Sequence, residues 1–157
     1  MPNLYPVGFD TTEDMPEAEV ETDAPIGYKN GIAFDDLRGD FMRDGKNEIL
    51  SSTGIESWMS WCVNCISTER YKHLAYGTDF GIEIDQALQA TSREEAESIL
   101  TREITEAILA DPYGRTEYIE EIAFDWTAPD SIVVQATIHG ISDVSIDITA
   151  YITKGGT

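Results

Sequence analysis

Three runs of alternating apolar and polar residues lie between Glu117 and Ile152, separated only by turn signals. In the last run Val144, Ile146, Ile148, Ala150 and Ile152 alternate with Ser145, Asp147, Thr149 and Tyr151, the period of two of a strand with one buried face. The middle run repeats this with Ile132, Val134, Ala136 and Ile138, and the first carries Ile122, Phe124 and Trp126 against Glu121, Ala123 and Asp125. Ala128-Pro129-Asp130 supplies a turn between the first two. The pattern predicts an antiparallel meander with one apolar face that other elements must cover.

Two upstream segments have the helical period that such a cover needs. The first begins at Thr53, which forms a capping box with Glu56, and places Ile55, Trp58, Met59, Cys62, Cys65 and Ile66 on one face. Trp61 and Val63 widen that face. From Gly54 to Ser67 only Glu56 is charged, so this helix is expected to be covered on more than one side, by its own sheet and by another chain. The second runs from Arg93 to Ala110 behind a Ser92/Glu95 capping box, with Ala96, Ile99, Leu100, Ile104, Ala107 and Ile108 inward. Glu94, Glu95, Glu97, Arg102, Glu103 and Glu106 are assigned to its outer face, and Asp111-Pro112-Tyr113-Gly114 stops it.

Further upstream, short apolar pairs between Tyr28 and Leu50 are broken by Asn30-Gly31, Arg38-Gly39 and Asp44-Gly45, which predicts a small hairpin or two edge strands. Between the helices, Thr68-Glu69-Arg70-Tyr71 and Tyr76 to Glu83, with Gly77 and Gly81, read as a fixed irregular loop. Residues 1–27 are rich in Asp, Glu and Pro and have no periodicity, so they read as an acidic arm outside a single domain at 28–157. Leu4, Tyr5, Val7 and Phe9 leave two readings open: a solvated tail, or an arm that orders against a neighbouring subunit. The fold class is therefore α+β: an antiparallel meander covered by two amphipathic helices, with a small N-terminal hairpin and an extended arm.

Charge narrows the partners. With 30 acidic against 10 basic side chains and a net charge of −20, nucleic acid, anionic membrane and anionic wall polymer are poor partners, whereas a basic protein surface is a good one. No apolar run has the length of a membrane span, and the N-terminus lacks a signal-peptide pattern, which points to a cytoplasmic protein.

Candidate chemistry is sparse. Cys62 and Cys65 fall inside the first helix on its apolar face, with only His73 and His139 to complete a zinc set, so they read as buried small residues and no metal or cofactor is expected. Glu69, Asp79 and Glu83 cluster in the loop and could pair as a glycosidase acid and base, although such density makes chance pairing common. Arg70 and Arg115 stand beside the two irregular junctions, where each could bind a partner's carboxylate bidentately or form an intrachain ion pair.

Thr68-Glu69-Arg70-Tyr71, Tyr76-Gly77, Phe80-Gly81 with Glu83, then Glu106 to Leu109 with Asp111 and Arg115, followed by the alternating strands, resemble the small baseplate wedge protein of contractile phage tails. The similarity is to the PBSX-type prophage form, found also in phage-tail-like bacteriocins and sometimes labelled lysozyme-like, and spans Tyr28 to Ile152. The resemblance implies a non-enzymatic subunit that joins the inner wedge core and starts the first sheath ring by accepting an added strand. It implies other wedge proteins and the sheath protein as partners, with tail-hub or spike-proximal proteins as further candidates, no nucleic acid and no membrane insertion. Its place is the baseplate of a phage tail or bacteriocin particle assembled in the bacterial cytoplasm.

On this reading Trp58, Met59 and Trp61 face the wedge core. Thr68, Glu69, Arg70, Tyr76, Gly77, Phe80, Gly81 and Glu83 form the family loop. Asp111, Pro112 and Arg115 match an acidic-Pro-Arg contact motif, interrupted here by Tyr113 and Gly114, and Ile146, Ile148 and Ile152 mark the strand edge. The alternatives are a tail-associated peptidoglycan hydrolase and a cytoplasmic assembly chaperone or adaptor for a basic partner.

Overall fold

A computed structural model of the chain describes residues 27–35 and 38–154. The expected arm, up to residue 26, lies outside the described residues. The fold is mixed α+β with antiparallel sheets, in the order β1 (Gly31–Ile32), β2 (Phe34–Asp35), β3 (Asp40–Phe41), β4 (Ser51–Ser52), α1 (Gly54–Ser67), α2 (Ile84–Leu88), α3 (Arg93–Leu109), β5 (Thr116–Ala128), β6 (Ser131–Gly140) and β7 (Val144–Thr153).

The three long strands form one antiparallel sheet in the order β5-β6-β7. The alternation fixes its faces: Ile132, Val134, Ala136 and Ile138 of β6, and Ile146, Ile148, Ala150 and Ile152 of β7, are all buried. They share one core with Trp58, Cys62, Cys65 and Ile66 of α1 and Leu100, Ile104, Ala107 and Ile108 of α3. Helix α1 lies against β7 and α3 against β5. No helix among the described residues is long and apolar enough to cross a membrane.

Strand β5 starts at Thr116, at the head of the expected stretch, and register shifts at Thr116/Tyr118 and Ile119/Glu121 interrupt its alternation before the regular run at Glu121. Three local expectations need correction. A third helix, α2, buries Ile84 and Ala87 against α3; five residues are too few to leave a periodic signal. The Ser92 hydroxyl accepts the Glu95 N–H at 3.2 Å, but the Glu95 carboxylate takes the Thr91 N–H instead of closing a box on Ser92. Glu103, assigned to the outer face, is buried. At α1 the capping box forms as expected, with Thr53 N–H donating to Glu56 at 2.8 Å and Glu56 N–H to Thr53 at 3.3 Å.

Upstream, β1 pairs with β4 and β2 with β3, and the Asp44 carboxylate takes the N–H groups of Lys46 and Glu48 at 2.8 Å to shape the turn. Tyr28 ties this segment to the core, with its ring 5.3 Å from that of Trp58 and its hydroxyl donating to the Ile141 carbonyl at 3.1 Å.

Candidate interaction sites

The strand pairing determines which main-chain groups of β7 are free. Lys154 N–H donates to the Asp130 carbonyl at 3.0 Å, one step beyond the Ser131/Thr153 pair, so Lys154 and Asp130 bond face to face. Bonded and non-bonded pairs alternate along an antiparallel ladder. Register shifts are absent between β6 and β7, so the even-numbered β7 residues, Val144 to Ile152, bond inward to β6. The N–H and C=O groups of Ser145, Asp147, Thr149, Tyr151 and Thr153 therefore point away from the sheet. Among the described residues none of these groups makes a main-chain bond to another element. β7 is thus a regular edge about ten residues long with its bonding groups unpaired.

This corrects the assignment of the edge to Ile146, Ile148 and Ile152. Their main chain bonds inward and their side chains belong to the core, with exposures of 4%, 5% and 0%. The residues that present the edge are their polar neighbours, whose side chains lie on the open face. Tyr151 and Thr153 also line a groove with Ser67, Thr68, Glu69 and Tyr76, so the family loop flanks one end of the edge.

That loop is held by its own chemistry. Arg70 N–H donates to the Ile82 carbonyl at 2.9 Å and Ile82 N–H to the Thr68 carbonyl at 3.0 Å, tying the two ends of the loop together. The Arg70 side chain donates to the Gly81 carbonyl at 2.9 Å and meets the buried Glu103 carboxylate at 3.6 Å, which also accepts the Glu83 N–H at 3.3 Å. Gly81 has φ +92°, and a Cβ there would stand 2.7 Å from the Thr68 carbonyl oxygen. Gly77 has open space around it and carries no such constraint. The intrachain alternative for Arg70 is the one observed.

The same holds for Arg115. Its side chain grips Asp111 bidentately at 2.7 and 2.9 Å, both residues being buried, and its guanidinium lies 5.6 Å from the Trp61 ring and 5.0 Å from that of Tyr113. Burial pulls the Asp111 carboxyl up, but the Arg115 side chain and the N–H groups of Arg115 and Tyr113 outweigh it and hold the carboxyl below its usual range. The pair sets the turn between α3 and β5.

Three separate parts of the sequence meet beside this pair. Trp61 of α1, Tyr76 and Phe80 of the loop, and Ala110 and Pro112 after α3 line an open cleft of about 480 Å³. Phe80 lies 6.0 Å from Trp61 and 4.5 Å from Tyr76, ring centre to ring centre. Trp61 and Met59 are half-buried, and Tyr76 remains 53% exposed. Trp58, grouped with them from the sequence, is fully buried and donates its indole N–H to Thr116 at 3.2 Å; it is a core residue and offers no surface.

The remaining candidates do not converge on a reaction. Glu69 pairs with Lys72 at 3.2 Å in the groove beside β7, whereas Asp79 lines the Trp61 cleft, so the two carboxylates face different spaces. Cys62 and Cys65 are fully buried with both thiol pKa values pushed up, foremost by burial. His139 lies 2.6 Å from Glu120 and stacks on Tyr118 on the open face. Tyr28 and Glu103 are the structural residues that periodicity missed: a lone Tyr in a turn-rich segment and one Glu among many carry no sequence signal of burial.

Comparison with curated proteins gives no match. A family model, described as contractile injection system sheath initiator, matches residues 30–143, from the N-terminal hairpin to the β6–β7 turn. That span is most of the chain and lies inside the expected resemblance to contractile-tail baseplate proteins. The match covers well over half of the chain, and the chain belongs to the family of contractile injection system sheath initiators.

Proposed function

We propose that this sheath initiator is a two-sided adaptor of a baseplate wedge, with the β7 edge accepting a strand from the first sheath ring and the Trp61 cleft seating the wedge core. The observation that carries the reading is the outward row of main-chain groups from Ser145 to Thr153, because an unpaired regular edge is the receptor that strand addition needs. The half-buried Trp61 and Phe80 and the exposed Tyr76 support the second surface: partly exposed aromatics clustered in a cleft on so acidic a protein are characteristic anchors for another chain.

The finer assignments follow from this reading. The family role is structural, and the separate placement of Glu69 and Asp79 gives a peptidoglycan hydrolase no support. The wedge setting, of the PBSX or lysozyme-like type, assembly in the bacterial cytoplasm and contacts with tail-hub or spike-proximal proteins belong to the proposal. So does the division into an arm at 1–27 and a domain at 28–157.

Two substitutions separate the surfaces. Thr149→Pro removes an outward N–H without breaking the β6–β7 ladder, since proline is tolerated where the strand has no neighbour. It should leave the chain in baseplates, counted by mass spectrometry, while those baseplates fail to acquire sheath. Trp61→Glu should leave the isolated chain folded but remove it from baseplates. Normal sheath on Thr149→Pro particles would rule out strand addition at β7.

A further inference from the structure

Helix α1 lies against β7, the open strand, while α3 lies against β5. One flank of α1 therefore faces α3, and the other reaches out beside the β7 edge. A helical turn of about 100° per residue decides which residues stand on each. Trp58, Cys62, Cys65 and Ile66 are fully buried and mark the side against the sheet. Trp61 and Asn64 share a cleft with Ala110 and Pro112 at the end of α3, and theirs is the flank toward α3. Ile55, Met59 and Val63, four residues apart, fall on the opposite flank, with Met59 about 160° around the helix from Trp61. All three are half-buried and pack against the edge of the core.

This apolar stripe runs along the open edge. At one end of α1 a Cβ on Gly140 would stand 2.6 Å from the Trp58 ring, and Gly140 pairs with Val144, the first residue of β7. At the other end Ser67 and Thr68 line a groove with Tyr151 and Thr153. Helix and strand thus run in the same direction, and their repeats match. Residues four apart on a helix rise about 6 Å, and residues two apart on a strand rise about 6.6 Å. In a strand added to β7, the residues opposite Ile146, Ile148 and Ala150 share their core-side face. Their side chains come into step with Ile55, Met59 and Val63. The residues between them share the open face, where Asp147, the one charged residue among the odd-numbered positions of β7, favours a cation opposite it.

We infer that the β7 edge and the flank of Ile55, Met59 and Val63 form one seat, which selects a sheath strand with an apolar residue at every second position. The inference rests on strand addition at β7 and adds what that edge lacks by itself. Main-chain groups pair with any extended segment, whereas a slip of one residue turns every side chain to the other face. Such a slip would bring the polar side chains of the strand onto the apolar flank, so α1 sets the register of the incoming strand.

The test treats the full chain, free and bound to the sheath subunit, with dilute hydrogen peroxide, and follows methionine oxidation residue by residue by mass spectrometry. Met42, 45% exposed and upstream of α1, serves as the internal reference. Binding should slow the oxidation of Met59 several-fold relative to Met42. Met59→Gln, with its folding checked by a urea melt, should weaken binding of the sheath subunit about tenfold, whereas Met59→Leu should bind as the unaltered chain does. An unchanged Met59 rate, in a complex where the Asp147, Thr149 and Tyr151 amides have become protected from exchange, would overturn the inference and leave strand addition standing. So would unaltered affinity of a folded Met59→Gln. Amides that stay unprotected in the complex would overturn strand addition and the seat together.

Discussion

The two outer strands of the sheet have the same length scale and opposite treatment. β5 carries three register shifts, is packed by α3, and starts from a turn clamped by Asp111 and Arg115. Bulges and covering elements are the devices by which proteins close an edge to unwanted pairing. β7 runs ten residues without a shift, and its outward main-chain groups make no bond to another element among the described residues. An isolated protein with such an edge risks aggregation, so its retention on one side only points to a use on that side. The polar side chains beside it, Ser145, Asp147 and Thr149, keep the open face of the strand soluble.

The contrast can be sharpened within β7 itself, between neighbours that face opposite ways. Ile148→Ala removes a fully packed core side chain and should cost about 3 kcal/mol, whereas Thr149→Ala should stay within about 0.5 kcal/mol. Urea melts of the two variants measure the difference. Similar losses would mean that the Thr149 side chain does not lie on the open face.

The loop that flanks the open edge should respond next. Arg70→Ala leaves Glu103 buried with only Arg102, at 3.3 Å, and the Glu83 N–H for company, and should destabilise by about 2 kcal/mol, discounted because Arg102 is largely exposed. Hydrogen exchange should rise at Arg70 and Ile82, whose N–H groups tie the loop ends.

The pH-dependent effect belongs to the clamp at the closed edge. The Asp111 carboxyl has its pKa depressed in the fold, so it adds stability above the ordinary carboxylate pKa of about 3.9, lost as pH falls through the folded value. Asp111→Asn should therefore destabilise the protein at pH 7 and matter less with every step downward from about pH 4. Melting temperatures of both proteins across that range should converge; a constant gap would remove Asp111 from the acid response.

Much of this architecture is legible from periodicity. The alternation of Val144 to Ile152 gives the buried face of β7, and Thr53 with Glu56 gives the start of α1, because both signals are local. The edge is not legible in the same way. Side-chain alternation tells which face a residue occupies but not whether its N–H points left or right in the sheet; that depends on pairing parity, which a single long-range bond, Lys154 to Asp130, settles here. Trp58 and Trp61 likewise share one helix and one residue type, yet only the packing of Tyr28 and Phe80 around them separates core from cleft. The register shifts of β5 interrupt its alternation between Thr116 and Glu121, where the period on which sequence reading depends is lost.

Amide hydrogen exchange along β7, in the free protein and in complex with the sheath subunit, tests the central claim most directly. In the free protein the amides of Ile146, Ile148 and Ala150 should be protected and those of Asp147, Thr149 and Tyr151 should exchange fast; on sheath binding the fast set should become protected as well. Fast exchange at Asp147, Thr149 and Tyr151 in the complex would contradict strand addition at β7.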